Sequence, residues 1–218
     1  MNRLGDTRDE YIELLNVYWP IGVGVFLLIV LAVLFVLWRY RASRVKVDWP
    51  TGKDESHLEE AWAVLLACVV AALLYFTYNT MSDERNASAK EAGEVIEVTA
   101  ARWNWRFHYP RYGVTRQGHA RRVPTLTVPA DTPILFRETS LDVIHSFWIP
   151  HERFKWDAFP GRTTTFTLRF DKEDIGMHPS WGECAQFCGL DHSYMGFNVE
   201  VMSQADFARW AKQNGKQA

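Results

Sequence analysis

WGECAQFCGLDHSYM, running from Trp181 to Met195, decides how this chain is read. Four sulfur and nitrogen donors fall in it at short, fixed intervals: Cys184, Cys188, His192 and Met195. Gly182 and Gly189 interrupt any helix, and an alternating apolar stretch, GFNVEVM (Gly196 to Met202), follows at once. The segment is therefore expected to be a loop between strands and not one face of a helix. A disulfide between the two cysteines and a zinc site are the plainer readings. The first leaves the adjacent His and Met without a purpose, and zinc has little use for a thioether.

Cys188, His192 and Met195 instead carry the Cys–His–Met pattern of a blue-copper loop. Such a site takes a second imidazole from a distant strand. LDVIHSFWIP (Leu141 to Pro150) offers His145 among apolar neighbours. Cys184 is then left over, and a spare thiolate beside copper is redox-labile. Two thiolates can instead bridge two copper ions, each with one terminal imidazole, while Met195 and a backbone carbonyl cap the pair weakly. The second cysteine thus predicts a binuclear centre.

Short alternating stretches surround this loop: VIEVTA (Val95 to Ala100), RWNWRFHY (Arg102 to Tyr109), TLTV (Thr125 to Val128), PILFRE (Pro133 to Glu138) and TTTFTLRF (Thr163 to Phe170). Pro and Gly punctuate them, which predicts an antiparallel β-sandwich over residues 95–203. Residues 82–94 read as a polar linker. Residues 204–218 read as a short amphipathic helix and tail, the helix ending at Gly215.

Farther toward the N-terminus the character changes. Residues 20–38 and 61–78 carry no charged side chain. At about 1.5 Å per helical residue, each run spans roughly the ~30 Å hydrocarbon layer. Trp19, Trp38, Tyr40, Trp62, Tyr75 and Tyr78 frame them as interfacial aromatics. The first run is too long, and its lead too acidic, for a signal peptide. Residues 1–81 are thus expected to form a transmembrane hairpin. Arg39, Arg41, Arg44, Lys46 and Lys53 lie between the spans, so the connecting loop is expected in the cytoplasm and both termini outside. Cys68 sits mid-span as apolar filling. The net charge of −2 over 218 residues gives no basic excess of the kind a nucleic-acid binder shows.

The pattern C-x-x-x-C-G-x-x-H-x-x-M with an upstream His resembles the dicopper (CuA) centre of cytochrome c oxidase subunit II. HSFWIP, FKWDAFPGR (Phe154 to Arg162), RWNWRF and the hairpin-then-sandwich plan agree with that resemblance along nearly the whole chain. It implies a two-helix anchor joined to an all-β, cupredoxin-like Greek-key sandwich, in a bacterial-type inner membrane with the copper domain on the periplasmic side. It implies His145, Cys184, Gln186 (through its backbone carbonyl), Cys188, His192 and Met195 as ligands of two copper ions, with Trp181, Phe187 and Phe147 excluding water. It implies electron transfer from cytochrome c to haem in subunit I, where oxygen reduction at haems and a further copper is coupled to proton pumping. Subunits I and III are the implied partners, with a copper chaperone and a thiol reductase for assembly.

By the same resemblance, one of Trp103 and Trp105 is core and the other, Trp103, receives electrons above the copper. Glu59, three residues before Trp62, marks the mouth of a proton channel, although two acids at a helix start also suit the helix dipole. Glu138, Asp142, Glu152 and Asp157 are candidate docking acids, Asp142 foremost. Two departures qualify the picture. Arg111, Arg116, Arg121 and Arg122 offset the acids, which points to a less basic or membrane-held cytochrome donor. Gln186 stands where many members have Glu, which removes a charge that would hold magnesium. His57, His108, His119, His151 and His178 show no ligand spacing. A quinol-oxidising relative would lack the copper ligands. A nitrous oxide reductase-like relay would carry a large additional domain and no hairpin. A copper-storage or copper-sensing anchor would not need the Trp-x-Trp and Lys-x-Asp-Ala-x-Pro-Gly-Arg stretches. No Cys-x-x-Cys-His for covalent haem is present.

Overall fold

The computed structural model describes residues 5–41, 57–85, 92–119 and 122–215. Arg44, Lys46 and Lys53 of the interhelical loop, residues 86–91 of the expected linker, Arg121 and residues 216–218 lie outside the described residues. The chain divides into two units, Ile12–Thr80 and a second made of Met1–Tyr11 with Met81–Ala218.

The first unit is helical. α1 (Thr7–Arg39) and α2 (His57–Arg85) extend beyond the uncharged runs at both ends. Leu and Val recur in both, joined by Ile and Phe in α1 and by Ala in α2, and each helix satisfies its own backbone, which a lipid environment demands. Pro20 lies inside α1, where it removes one donor from the ladder. The Tyr18 hydroxyl donates to the Leu73 carbonyl at 3.0 Å and ties the two helices together. Both are long and apolar enough to cross a membrane. Leu31, Leu34, Phe35, Leu74 and Tyr75 stay exposed on them, a continuous apolar surface that suits lipid or a partner and not water.

The second unit is a sandwich of two five-stranded sheets. One holds β1 (Glu94–Ala101), β2 (Asn104–Tyr109), β3 (Val114–Gln117), β5 (Ile134–Ser140) and β8 (Thr164–Leu168), in the order β3-β2-β1-β5-β8. The other holds β4 (Thr125–Pro129), β6 (His145–Ile149), β7 (Phe154–Ala158), β9 (Gly176–Cys184) and β10 (Gly196–Met202), in the order β4-β10-β9-β6-β7. Alternation sends Ile96, Val98 and Ala100 of β1, and Phe197, Val199 and Val201 of β10, into the shared core. At its centre Phe147 stacks on Phe197 with ring centroids 4.8 Å apart, and Trp105 meets Phe147 edge-on at 5.9 Å.

Two differences from the expected sandwich have clear causes. The sheets are mixed: β1 runs parallel to β5, and β4 parallel to β10. Each of these pairs is joined by chain that crosses between the sheets, so the returning strand arrives in the same direction. The sequence also hides β3, β7 and β9, which lack long alternating runs. β9 is the instructive one, because Pro179 sits inside it. Val199 pairs with His178 and Phe197 with Gly182, so three residues of β9 face Asn198 alone. Ser180 takes a left-handed φ of 57° in this bulge, and its N–H donates to the Asn198 side chain at 3.0 Å. The bulge absorbs the proline and re-aims the strand end.

α3 (Gln204–Gly215) closes the other end, with Phe207 and Ala211 buried and Trp210 5.1 Å from Tyr109. The N-terminal residues pack on the same unit. The Arg169 N–H donates to the Gly5 carbonyl at 2.8 Å, and the Thr7 hydroxyl donates to the Glu152 carbonyl at 2.6 Å.

Gly182 lies against the core: a Cβ there would meet the Phe197 ring at 2.1 Å. Gly182→Ala is expected to destabilise the sandwich by about 1–3 kcal/mol through overpacking. Urea unfolding followed by tryptophan fluorescence measures it, and an unchanged midpoint would contradict the packing described.

Candidate metal centre

Cys184 is the last residue of β9, and β10 begins at Gly196. The intervening loop closes on itself: the Cys184 N–H donates to the Met195 carbonyl at 3.0 Å, and the Met195 N–H donates to the His192 carbonyl at 3.2 Å. The Ala185 N–H donates to the Ser146 carbonyl at 3.0 Å and ties the loop to β6, which carries His145. The sandwich thereby gathers donors distant in sequence. Cys184 Sγ lies 4.0 Å from Cys188 Sγ, and neither cysteine is in a disulfide. Each sulfur has its own imidazole: His145 Nδ1 is 3.9 Å from Cys184, and His192 Nδ1 is 3.5 Å from Cys188. Met195 Sδ stands 3.8 Å from Cys188, and the Gln186 carbonyl oxygen 3.4 Å from Cys184. Cys184, Cys188, His145 and Met195 are buried.

This donor set fits copper. Two soft sulfurs, two imidazoles, one thioether and one carbonyl converge without a competing lysine or arginine among them. The His145 ring is fixed from behind, where its Nε2 lies 2.8 Å from Asp142 Oδ1. With Nε2 protonated toward that carboxylate, Nδ1 keeps its lone pair for a metal beside Cys184. Asp142 also accepts the N–H groups of Arg102 at 2.8 Å and Val143 at 2.6 Å. Partial burial opposes its ionisation, but these two N–H donors and His145 hold its carboxyl down to about 2. Of the two thiols, Cys184 ionises first. Burial resists this, but the contacts with His145 and the Ser146 and Gln186 backbones bring it down. Cys188, buried beside that thiolate, is pushed up.

The aromatic surroundings sort differently from the expectation. Phe147 is fully buried, whereas Phe187 is 78% exposed and meets the His192 ring edge-on at 5.8 Å. Trp181 is half-buried and stacks between His151 and His178. A loop of this length has no strand face on which to turn Phe187 inward. Trp105 is core, and its indole N–H donates to the Met195 carbonyl at 3.3 Å. Trp103 is half-buried, with its indole N–H donating to the Cys188 carbonyl at 3.3 Å. Gly189, at φ 121°, lets that ring lie close, since a Cβ there would be 3.2 Å from it.

Two expected docking acids are not on the surface. Glu138 is 0% exposed, and both its oxygens lack hydrogen-bond partners among the described residues. It alternates inward with Ile134 and Phe136 on β5, a parity already visible in PILFRE. Burial, then Asp157 and Cys184, push its carboxyl well above the usual range. Glu152 is also buried. Asp142 and Asp157 remain accessible. Glu59 lies in the first turn of α2 and belongs to the helical unit. The Asp142 contact with His145 was legible only as an acid three residues upstream.

A two-sheet sandwich whose donor loop joins adjacent strands, carried by a chain with two apolar helices, defines a membrane-anchored, cupredoxin-like domain. Residues 116–202 match the family described as cytochrome c oxidase subunit II, periplasmic domain. The chain is 33% identical to cytochrome c oxidase subunit 2 of Bacillus subtilis, over 82% of this chain and 52% of that protein. It is 24% identical to that of Cereibacter sphaeroides, over 87% of this chain and 71% of that one. The chain thus spans about half the length of the Bacillus relative. Among solved structures, the periplasmic domain of subunit II of cytochrome oxidase of Bradyrhizobium japonicum matches with a TM-score of 0.52 and 28% identity, over 58% of this chain and 96% of that one. A mixed disulfide between a thioredoxin-like protein and subunit II of cytochrome c oxidase matches with a TM-score of 0.51 and 26% identity, over 61% and 97%. These matches make the chain similar, over most of its length, to cytochrome c oxidase subunit II.

Asp142→Asn is expected to weaken copper binding by about 10–100-fold, as loss of a carboxylate behind a metal-binding His does. It also changes acid stability. A depressed carboxyl stabilises the fold above its ordinary range near pH 4, and this contribution is lost as pH falls through about 2. The wild-type chain therefore loses this contribution between those pH values, and the variant does not. Acid unfolding curves of the two, with copper titrations alongside, measure both effects.

Proposed function

We propose that this chain is the subunit through which electrons enter a haem–copper terminal oxidase, with His145, Cys184, the Gln186 carbonyl, Cys188, His192 and Met195 holding two copper ions. The observation that carries this reading is the pair of free thiols 4.0 Å apart, each with its own imidazole. Two copper ions held by these residues would supply one-electron transfer.

The protein's own residues supply the rest. Asp142 orients His145. Trp105, Phe147 and Phe197 keep water from the sulfurs and hold the loop at one height. Trp103, half-exposed and hydrogen-bonded to the Cys188 carbonyl, offers a short path inward from a docked donor. Beside it lies a cleft of about 500 Å³ lined by Arg102, His119, Arg122 and Asp191, among others. Its mixed charge suits a less basic or membrane-held cytochrome better than a strongly basic one. On the His192 side, exposed Phe187 gives an apolar contact for subunit I and its haem. There oxygen reduction is coupled to proton pumping, with Glu59 at the mouth of a channel and subunit III as a further partner. The copper domain and both termini lie on the outer, periplasmic face. There Cys184 and Cys188 are open to oxidation, so loading requires a thiol reductase and a copper chaperone. The mixed disulfide of the related subunit II supports the first.

The test is metal content. Full-length chain, reduced and loaded in detergent, is expected to hold two copper ions and to show the hyperfine pattern of two equivalent copper nuclei. Cys188→Ser is expected to lose that pattern. One copper per wild-type chain would sink the reading. In the assembled oxidase, Trp103→Ala is expected to slow electron uptake from cytochrome by an order of magnitude or more at unchanged copper content. Uptake at the wild-type rate would remove Trp103 from the path.

A further inference from the structure

A second cluster of ligand atoms lies behind Trp181, where the N-terminal residues meet the sandwich. His151 and Glu152 sit on the 3₁₀ turn Pro150–Glu152, and Asp174 ends the 3₁₀ turn Lys172–Asp174. One ligand atom from each falls within 4.8 Å of the others. Arg8, from the first turn of α1, reaches into the group. Its Nη1 is 2.7 Å from His151 Nε2, its Nη2 is 3.0 Å from Asp174 Oδ2, and its Nε is 3.5 Å from Glu152 Oε2. Arg8 also pairs with Asp171.

These contacts make incompatible demands on one atom. His151 Nε2 faces both the Arg8 guanidinium and, at 3.2 Å, Asp174 Oδ1. Guanidinium only donates, so Nε2 must present a lone pair to it. That lone pair then opposes the lone pairs of Asp174. A proton on Nε2 repairs the Asp174 contact and spoils the Arg8 contact. Glu152 is 1% exposed, and its Oε1 is buried without a hydrogen-bond partner among the described residues. Three carboxylates, Glu152, Asp171 and Asp174, thus surround the Arg8 guanidinium in a partly buried pocket. A buried carboxylate oxygen without a partner is costly there. The consequence shows on Glu152: burial raises its carboxyl, Arg8 lowers it, and Asp174, Asp171 and Asp6 raise it, to about 7.

A divalent cation resolves all three problems at once. It accepts the Nε2 lone pair, neutralises Asp174 Oδ1 facing it, and gives the Glu152 carboxylate a cation within ligand reach. We propose that His151, Glu152 and Asp174 form a second metal site that takes a zinc-class divalent ion. One imidazole with two carboxylates is a nitrogen–oxygen set, which suits zinc better than all-oxygen magnesium or calcium and contains none of the sulfur that marks the copper site. The site is partly preorganised. The His151 ring stacks on Trp181 with centroids 4.2 Å apart, and Trp181 stacks on His178 at 3.6 Å. Arg8 keeps Asp171 when it yields the others, and the Gly5 and Thr7 hydrogen bonds still hold the N-terminal residues in place. Arg8 is therefore a built-in competitor for the site.

The experiment uses full-length chain in detergent with its copper in place, freed of loose ions on a chelating resin. It is titrated with zinc sulfate by calorimetry, and bound zinc is counted by elemental analysis. A single zinc per chain beyond the copper is expected. His151→Ala and Asp174→Asn are each expected to weaken it by about tenfold or more, and Arg8→Gln is expected to tighten it. The copper absorption reports in every sample that the sandwich is folded. No zinc uptake, equal affinity in all variants, or uptake accompanied by loss of the copper absorption would each overturn the proposal. The copper readout is separate, so failure here leaves the electron-transfer reading standing, and the reverse holds.

Discussion

One backbone carbonyl holds this structure's chemistry in place. The oxygen of Met195 accepts the Cys184 N–H, which closes the donor loop, and also the Trp105 indole N–H, which comes from the opposite sheet. The first bond sets Cys184 and Met195 at one level. The second fixes that level relative to the aromatic core, where Trp105, Phe147 and Phe197 meet. Buried backbone groups are almost always paired. Here the pairing does more, because it makes the position of the sulfurs a consequence of sandwich packing. A flexible loop would have to be ordered by the metal at a cost in affinity. This one is ordered by the fold.

Around that fixed frame the surroundings lower the Cys184 thiol and raise that of Cys188. Asp142 is anchored by two backbone N–H groups and turned toward His145, and its charge also helps to raise the Cys188 thiol. Glu138, which lies in the field of Cys184, has its ionisation disfavoured by burial. An ionised carboxylate at that place would oppose every negative sulfur. The sandwich therefore excludes charge where it would hurt and admits it where a hydrogen bond can direct it.

Much of this was legible in the sequence, for reasons that particular residues make plain. The donor loop is local, so its spacing survives in one dimension. The helices announce themselves by length without charge. GFNVEVM alternates and became β10. What stayed hidden was nonlocal or irregular. β9 contains Pro179, a residue that argues against a strand until the bulge at Ser180 is known. Asp142 and Glu138 read as surface acids. Alternation already turned Glu138 inward, but its sequence neighbours Arg137 and Thr139 drew attention to the solvent side. His151, Glu152, Asp174 and Arg8 come from three separate segments, and only tertiary folding makes them neighbours.

The bulge in β9 also limits how this protein can change over time. Side chains on a strand alternate with a period of two. Between Ser180 and Cys184 the chain runs straight to the thiol, so losing or gaining one residue there turns Cys184 toward solvent and Glu183 toward the core. Length change in that stretch is tolerable only in pairs. Descendants of this sequence should therefore vary freely in surface turns such as the one at Gly113, while the distance from the bulge to the first cysteine stays frozen or jumps by even steps.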